Sequence, residues 1–185
     1  MINDALKEGE GRMKASLLAL EEDLNTIRTG RATPALVEKL SVEYYGSPTP
    51  LMQLANISVP EPRQLLIKPF DLGSLKDIEK AIQSSDIGLT PNNDGKVIRL
   101  NLPVLTEDRR HDLTKVVSQR VEEARIAVRN IRRDSIKDLR EFEEEKMISE
   151  DELKRGEEST QELTDKYINL INEMGEKKEK EVMEI

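Results

Sequence analysis

Residues 126–134, Ile-Ala-Val-Arg-Asn-Ile-Arg-Arg-Asp, hold the side chains of this chain best suited to chemistry. On a helix Arg125, Arg129 and Arg132 fall at i, i+4 and i+7 and share one face, while Arg133, Lys137 and Arg140 form a neighbouring row. Val128 and Ile131 point to the opposite side, where they can anchor the helix in a bundle. Between residues 106 and 140, ten Lys/Arg (eight of them Arg) stand against seven Asp/Glu, a local net of +3. The segment 141–185 has seven Lys/Arg, only one of them Arg, against sixteen acids, a net of −9. An acidic protein, −8 overall, has therefore concentrated arginine in one segment. The planar guanidinium matches phosphate oxygens with a fork of donors, where lysine offers a point charge. Two readings fit. The segment is a rod presenting an RNA-backbone contact, or a solvated face whose arginines pair with Glu122, Asp134 and Asp138 at helical spacing.

Composition narrows the alternatives. At 185 residues the chain suits one large or two small domains. Charged residues make up 36% and aromatics 3%, which implies thin cores of the kind found in elongated helical proteins. Without cysteine there is neither a disulfide nor a thiolate metal site, and no metal or other cofactor is expected. The one histidine, His111, sits among Arg110 and Asp112 and is expected at the surface, so no catalytic residue is assigned. Gly9-Glu10-Gly11-Arg12 is no phosphate cradle, because no Gly-Lys-Ser/Thr follows it. No apolar run approaches the roughly 20 residues that span a bilayer, and the N-terminus reads as neither signal nor transit peptide. A cytoplasmic protein with no membrane partner is expected. Its net charge opposes indiscriminate coating of nucleic acid, so any RNA contact must come from local asymmetry.

The elements that would position the arginines follow from periodicity. All eight prolines lie between residues 34 and 103, which separates an inserted domain, 31–105, from a discontinuous one, 1–30 and 106–185. Ile2, Leu6, Gly9, Met13, Leu17, Leu20, Leu24 and Ile27 trace one stripe on a helix over 2–28. Leu113, Val117, Val121, Ala124, Val128, Ile131, Leu139 and Phe142 trace another from Thr106, a fitting N-cap, to about Lys146. Ser149 and Glu152 form a capping box that opens a third helix, striped by Leu153, Gly156, Thr160, Leu163, Tyr167, Leu170 and Met174. Three such stripes imply an antiparallel three-helix bundle. The insertion reads as mixed α/β. Strands are expected at Ser41–Tyr45, Gln53–Val59, Gln64–Lys68 and around Ile98–Leu102, with a helix over Ser74–Ser84 and a plain turn at Asn93-Asp94-Gly95. The fold class is thus α+β.

Several stretches resemble the bacterial ribosome recycling factor family, in order and over the whole length. They include Ile27-Arg28-Thr29-Gly30-Arg31-Ala32-Thr33-Pro34-Ala35-Leu36, Tyr44-Tyr45-Gly46-Ser47-Pro48-Thr49-Pro50-Leu51 and Ser85-Asp86-Ile87-Gly88-Leu89. Pro103-Val104-Leu105-Thr106-Glu107-Asp108-Arg109-Arg110 is similar to the family's entry into its second helix, and Arg129-Asn130-Ile131-Arg132-Arg133-Asp134 to its most recognisable helix motif. Departures are mild: Thr33 for a common Ser, Val37 for Leu and Asp108 for Glu. The resemblance implies an L-shaped, monomeric, non-catalytic molecule, a three-helix bundle carrying a small β/α/β domain. It implies binding between the subunits of the post-termination ribosome, with the bundle on large-subunit rRNA. Elongation factor G, and GTP hydrolysed by that factor, would then separate the subunits. By motif position Arg129, Arg132, Arg133 and Arg110 would contact rRNA, while Arg28 and Arg31 would either do so or order the elbow. On the residues alone, a coiled-coil adapter or chaperone-like polypeptide-binding protein competes, although the arginine asymmetry speaks against it.

Insertion of a compact domain requires its two ends to lie close together. The links Thr29-Gly30-Arg31 and Pro103-Val104-Leu105 therefore form the hinge, with Gly30 free to adopt angles other residues resist. The elbow is expected to move. Solution scattering and independent crystal forms should then record different inter-domain angles, and one invariant angle would show a rigid elbow.

Overall fold

A computed structural model describes residues 1–184 and divides the chain into two compact units, Met1–Arg28 with Glu107–Glu184, and Thr29–Thr106. The first unit is a bundle of α1 (Ile2–Thr26), α4 (Glu107–Glu144) and α5 (Glu150–Met183), with every pair of helices in contact. At ~1.5 Å per residue α4 is about 60 Å long. Ile27 leaves the helical region at φ −75°, ψ 112°, so Arg28 lies beyond α1. Ser149 caps α5: its hydroxyl accepts from the Glu152 amide at 3.3 Å, and the Glu152 carboxylate accepts from the Ser149 amide at 2.8 Å.

The buried faces of α1 and α4 follow the stripes read from sequence, with Met13, Leu20 and Leu24 opposite Val117, Val121, Ala124, Val128 and Ile131. In α5 the expected inward row is kept at Gly156, Thr160 and Tyr167 and widened toward Thr164, Ile171 and Gly175. Gly156, Thr160, Thr164, Tyr167, Ile171 and Gly175 are buried, whereas Leu153, Leu163, Leu170 and Met174 are only half-buried. Two threonines can face a core because their hydroxyls donate one turn back, Thr160 to the Gly156 carbonyl and Thr164 to the Thr160 carbonyl, both at 2.8 Å. Glycines let the helices close in. A Cβ on Gly175 would lie 2.6 Å from Val121 Cγ2, and one on Gly9 2.8 Å from Ser135 Oγ.

The second unit holds two sheets. Strands β1 (Ser41–Tyr44) and β2 (Ser47–Pro50) form a hairpin around Tyr45 and Gly46, both at positive φ, which is the two-residue turn whose twist suits a hairpin. Strand β2 was not expected, since Pro48 and Pro50 read as breakers. They alternate with Thr49, so both missing N–H groups fall on the same, unpaired edge. Residues 51–54 form a single helical turn, α2 (Leu51–Leu54), not the expected start of a strand, because Leu51 and Leu54 both bury at that spacing.

Strands β3 (Ala55–Glu61), β4 (Gln64–Pro69), β5 (Pro91–Asn93) and β6 (Ile98–Asn101) pair antiparallel in the order β3-β4-β6-β5. β3 runs past Pro60, an edge position, through an irregularity between Ser58 and Glu61. Leu65 opposite Leu100 and Ile67 opposite Ile98 place four fully buried side chains in one core with Ile78 and Ile82 of α3 (Leu75–Gln83). Strand β5 escaped the sequence reading because three polar-flanked residues carry no alternation. The turn before β6 is tied by Asp94, which accepts from the Val97 and Lys96 amides at 2.9 Å each and from Arg99 at 2.8 Å.

Two predictions follow from these contacts. Gly175→Ala gains about 1 kcal/mol of helix propensity but meets Val121, whose branched side chain is stiff in a helix, at an overpacking cost of ~1–3 kcal/mol. Urea unfolding should show a net loss in the wild-type background and a gain once Val121 is also Ala. A gain in both backgrounds would mean that the helices are not in contact there. Asp94 is held down from an ordinary 3.8 to about 2, by the Val97 and Lys96 amides first and Arg99 next. A lowered carboxylate contributes stability that is present above its unfolded value and lost as pH falls through the folded one. Asp94→Asn should therefore flatten the fall in stability between 3.8 and about 2, and an unchanged thermal-midpoint profile would refute that assignment.

Candidate nucleic-acid interface

Arg129 and Arg133 are exposed on α4, whereas Arg125 and Arg132 are half-buried at the flank of its buried row of Val121, Ala124, Val128 and Ile131, not opposite it as expected. Their neighbours divide them into two groups. Arg125 donates to Glu122 Oε2 at 3.0 Å, and its Nε to Asn172 Oδ1 of α5 at 2.8 Å. Arg129 donates to Glu122 Oε1 at 3.2 Å. One carboxylate thus serves two guanidiniums, and Arg125 first, then Arg129, holds the Glu122 carboxyl below its usual range. Arg132 and Arg133 differ. Neither forms an ion pair among the described residues; Arg133 donates to Asn130 of its own helix, and the buried Nε of Arg132 has no hydrogen-bond partner. Together with Ile136, Lys137, Arg140, Glu141 and Glu144 they line a groove along α4.

The acids considered as partners behave unequally. Glu122 pairs with the row as described, whereas Asp134 is turned to α1, accepting from Arg12 at 2.8 Å. Asp138 forms no ion pair among the described residues. Arg140 donates to Glu157 of α5 at 2.9 Å, and Lys137 lies 3.5 Å from Glu141. The side chains that sequence reasoning could not find are those reaching in from other helices: Arg12, Glu157 and Asn172. No local spacing signals them, because only packing brings them alongside α4.

The remaining candidates are dispersed. Arg110 precedes Arg129 by 19 residues, about 28 Å of helix, so it belongs to a separate point on the rod. It is half-buried and donates to the Met183 carbonyl at 3.1 Å, tying down the last turn of α5. Arg28 is exposed beyond the end of α1, and Arg31 is exposed in the other unit. His111 is exposed, as expected. The residues expected to form the hinge meet one another within the second unit. Gly30, at φ +78°, would place a Cβ 3.3 Å from Leu105 Cγ and 3.7 Å from the Pro103 carbonyl. Thr29 is buried, Val104 is exposed, and Leu105 is half-buried. The Ala32 amide donates to the Pro62 carbonyl and the Leu102 amide to the Arg63 carbonyl, each at 2.8 Å, so both ends of the insertion are fastened to the β3–β4 turn.

Comparison with known proteins agrees with this architecture. Residues 20–183 match the family model described as ribosome recycling factor. The chain is 58% identical to the ribosome-recycling factor of Roseiflexus castenholzii and 54% identical to that of Halalkalibacterium halodurans, over 185 residues that cover all of each chain. Among solved structures it is similar to a solution structure of the ribosome recycling factor, at TM-score 0.76 and 46% identity, covering 100% of this chain and 98% of that one. It also matches, at TM-score 0.65 and 45% identity over 98% of both chains, a chain from models of the T. thermophilus ribosome recycling factor and E. coli elongation factor G bound to the E. coli post-termination complex. On a family match spanning most of its length and relatives more than half identical from end to end, the chain belongs to the ribosome recycling factor family.

Proposed function

We propose that this protein binds the post-termination ribosome between its subunits, docks the bundle on large-subunit rRNA, and promotes subunit separation together with elongation factor G and GTP hydrolysed by that factor. The observation that carries the reading is the pair Arg132 and Arg133. In a chain of net charge −8, these two guanidiniums sit side by side on a rigid helix without an acidic partner among the described residues. Arg132 and Arg133 are therefore available to an anion from outside the chain, and phosphate is what the arginine fork fits. Arg129 extends the contact, Arg110 provides a second point along α4, and Arg28 and Arg31 are supplementary contacts near the hinge. A related protein bound with elongation factor G to a post-termination complex supports the same partners here.

The action is mechanical, with no catalytic centre in this chain. A helix some 60 Å long, packed against two others, transmits force along its axis, and the links at Thr29–Arg31 and Pro103–Leu105 let the second unit reorient. Among the described residues no helix is long and apolar enough to cross a membrane, and the reading is of a cytoplasmic monomer working on ribosomes.

Three phosphate contacts give a salt slope of roughly 2–3, a fall in affinity of about 20- to 40-fold between 50 and 200 mM salt. Co-sedimentation with purified large ribosomal subunits should show that dependence, and an Arg129/Arg132/Arg133 triple Ala variant should lose it while keeping its helicity. An unfolded triple variant would make the arginines structural. A folded wild type that fails to bind would overturn rRNA docking and leave a polypeptide-binding adapter as the better reading.

A further inference from the structure

We infer that Glu122 is an intramolecular competitor for the rRNA phosphate, attenuating the docking of Arg129 and so limiting how tightly the rod binds. The inference rests on the rRNA-docking reading above and adds to it a residue of opposite charge. Glu122 lies in the same helix, and its two carboxylate oxygens are divided between Arg129 at 3.2 Å and Arg125 at 3.0 Å. A carboxylate presents to a guanidinium the same paired acceptors as a phosphate. Glu122 therefore already occupies the position that an incoming phosphate would take.

The two arginines depend on it unequally. Arg125 is also held by Asn172 Oδ1 at 2.8 Å, and its side chain is only 31% exposed, so it stays anchored to α5 whatever Glu122 does. Arg129 is 49% exposed, and Glu122 is its one ion-pair partner among the described residues. To reach a phosphate, Arg129 has to exchange one anion for another, and its net contribution shrinks by what it gives up. Arg132 and Arg133 make no such exchange. The row thus combines two arginines that add fully to docking with one whose gain is held back. For a factor that must leave the ribosome after each round, a contact weakened from within keeps docking reversible without removing the charge that orients it.

The neighbouring acid supplies the control. Glu123 carries the same charge one residue away but pairs with Arg120 at 3.4 Å and accepts from Gln119 at 3.1 Å, outside the arginine row. Full-length wild type, Glu122→Gln, Glu123→Gln, Arg129→Ala and the double variant Glu122→Gln/Arg129→Ala would be titrated onto purified large ribosomal subunits at two salt concentrations. Exposed ion pairs of this kind are weak, so Glu122→Gln is expected to bind about two- to five-fold tighter, with a salt slope steeper by up to roughly one. Glu123→Gln should gain less than half as much. In the Arg129→Ala background the Glu122→Gln gain should vanish, as expected for two residues that act through one contact. Equal gains from both single Gln variants would reduce the effect to net charge and overturn the inference. Weaker binding by Glu122→Gln would overturn it as well, by making Glu122 a residue that positions the arginines. Failure of every variant to bind, wild type included, removes the docking reading itself and is distinguishable from either outcome.

Discussion

Close approach of the three helices is the constraint on which the rest of the structure depends. With so few aromatic side chains the bundle cannot be filled by bulk, and it closes through small residues. Gly9 faces Ser135, Gly156 faces Leu139 and Ile2, and Gly175 faces Val121, each with too little room for an ordinary Cβ contact. Dispersion falls off steeply with separation, so a seam of glycine, serine and threonine stabilises the bundle only when the backbones come near. The consequence for α4 is direct. Its inward row is a narrow strip of Leu, Val, Ala, Ile and Ser without an aromatic, and most of its circumference remains free for charged groups. A thick aromatic core would have drawn that surface inward.

On that free surface, electrostatics sorts one arginine from another. Arg12 is matched by Asp134, Arg120 by Glu123, Arg140 by Glu157, and Arg125 and Arg129 share Glu122. Exposed pairs such as these contribute little to stability; their effect is to cancel charge locally. Arg132 and Arg133 are left without an acidic partner among the described residues, inside a chain that repels polyanions overall. That combination favours a defined docking point over nonspecific adhesion. The perturbed carboxylates agree with a chain devoted to structure. Glu152 is lowered by its capping box, Asp94 by the turn amides, Asp4 by the N-terminal amine and Glu122 by arginine. Each shift has a structural cause, so none requires an acid or base for chemistry.

Legibility in the sequence followed the range of the interactions. The ends of α4 and the cap of α5 depend on residues within one turn, and both were readable: the helix expected from Thr106 to about Lys146 runs from Glu107 to Glu144, and Ser149 with Glu152 forms the capping box. Of the inward face expected for α5, Gly156, Thr160 and Tyr167 are buried and Leu163, Leu170 and Met174 pack at its margin, whereas Thr164, Ile171 and Gly175 were missed, Thr164 because its hydroxyl is satisfied on its own helix. β2 and β5 were missed, since each is strand only by virtue of its partner, Ser41–Tyr44 in one case and Ile98–Asn101 in the other. The candidate site divides in the same way. That Arg129 and Arg133 are exposed on α4 follows from helical period, while Arg132 is half-buried beside the inward row. The pairing of Arg129 with Glu122 was within reach of the same reasoning, whereas the capture of Asp134 by Arg12 and the tie of Arg125 to Asn172 were not, because those partners come from helices more than forty residues away in the chain.

The second unit closes on itself where the chain enters and leaves it. Ala32 and Leu102 are fastened to adjacent carbonyls, Pro62 and Arg63, of one turn. The chain therefore enters and leaves the insertion at one place, and Gly30 lies against Leu105 where a side chain would crowd. The unit's order includes these residues, since Thr29 is buried within it. Had the two ends been pinned at separate points of the sheet, the insertion would have lacked a common point of entry and exit. Fastening both to the β3–β4 turn brings Thr29–Arg31 and Pro103–Leu105 together within the unit, and Gly30, in the left-handed region at φ +78°, is the residue among them with the widest range of backbone rotation.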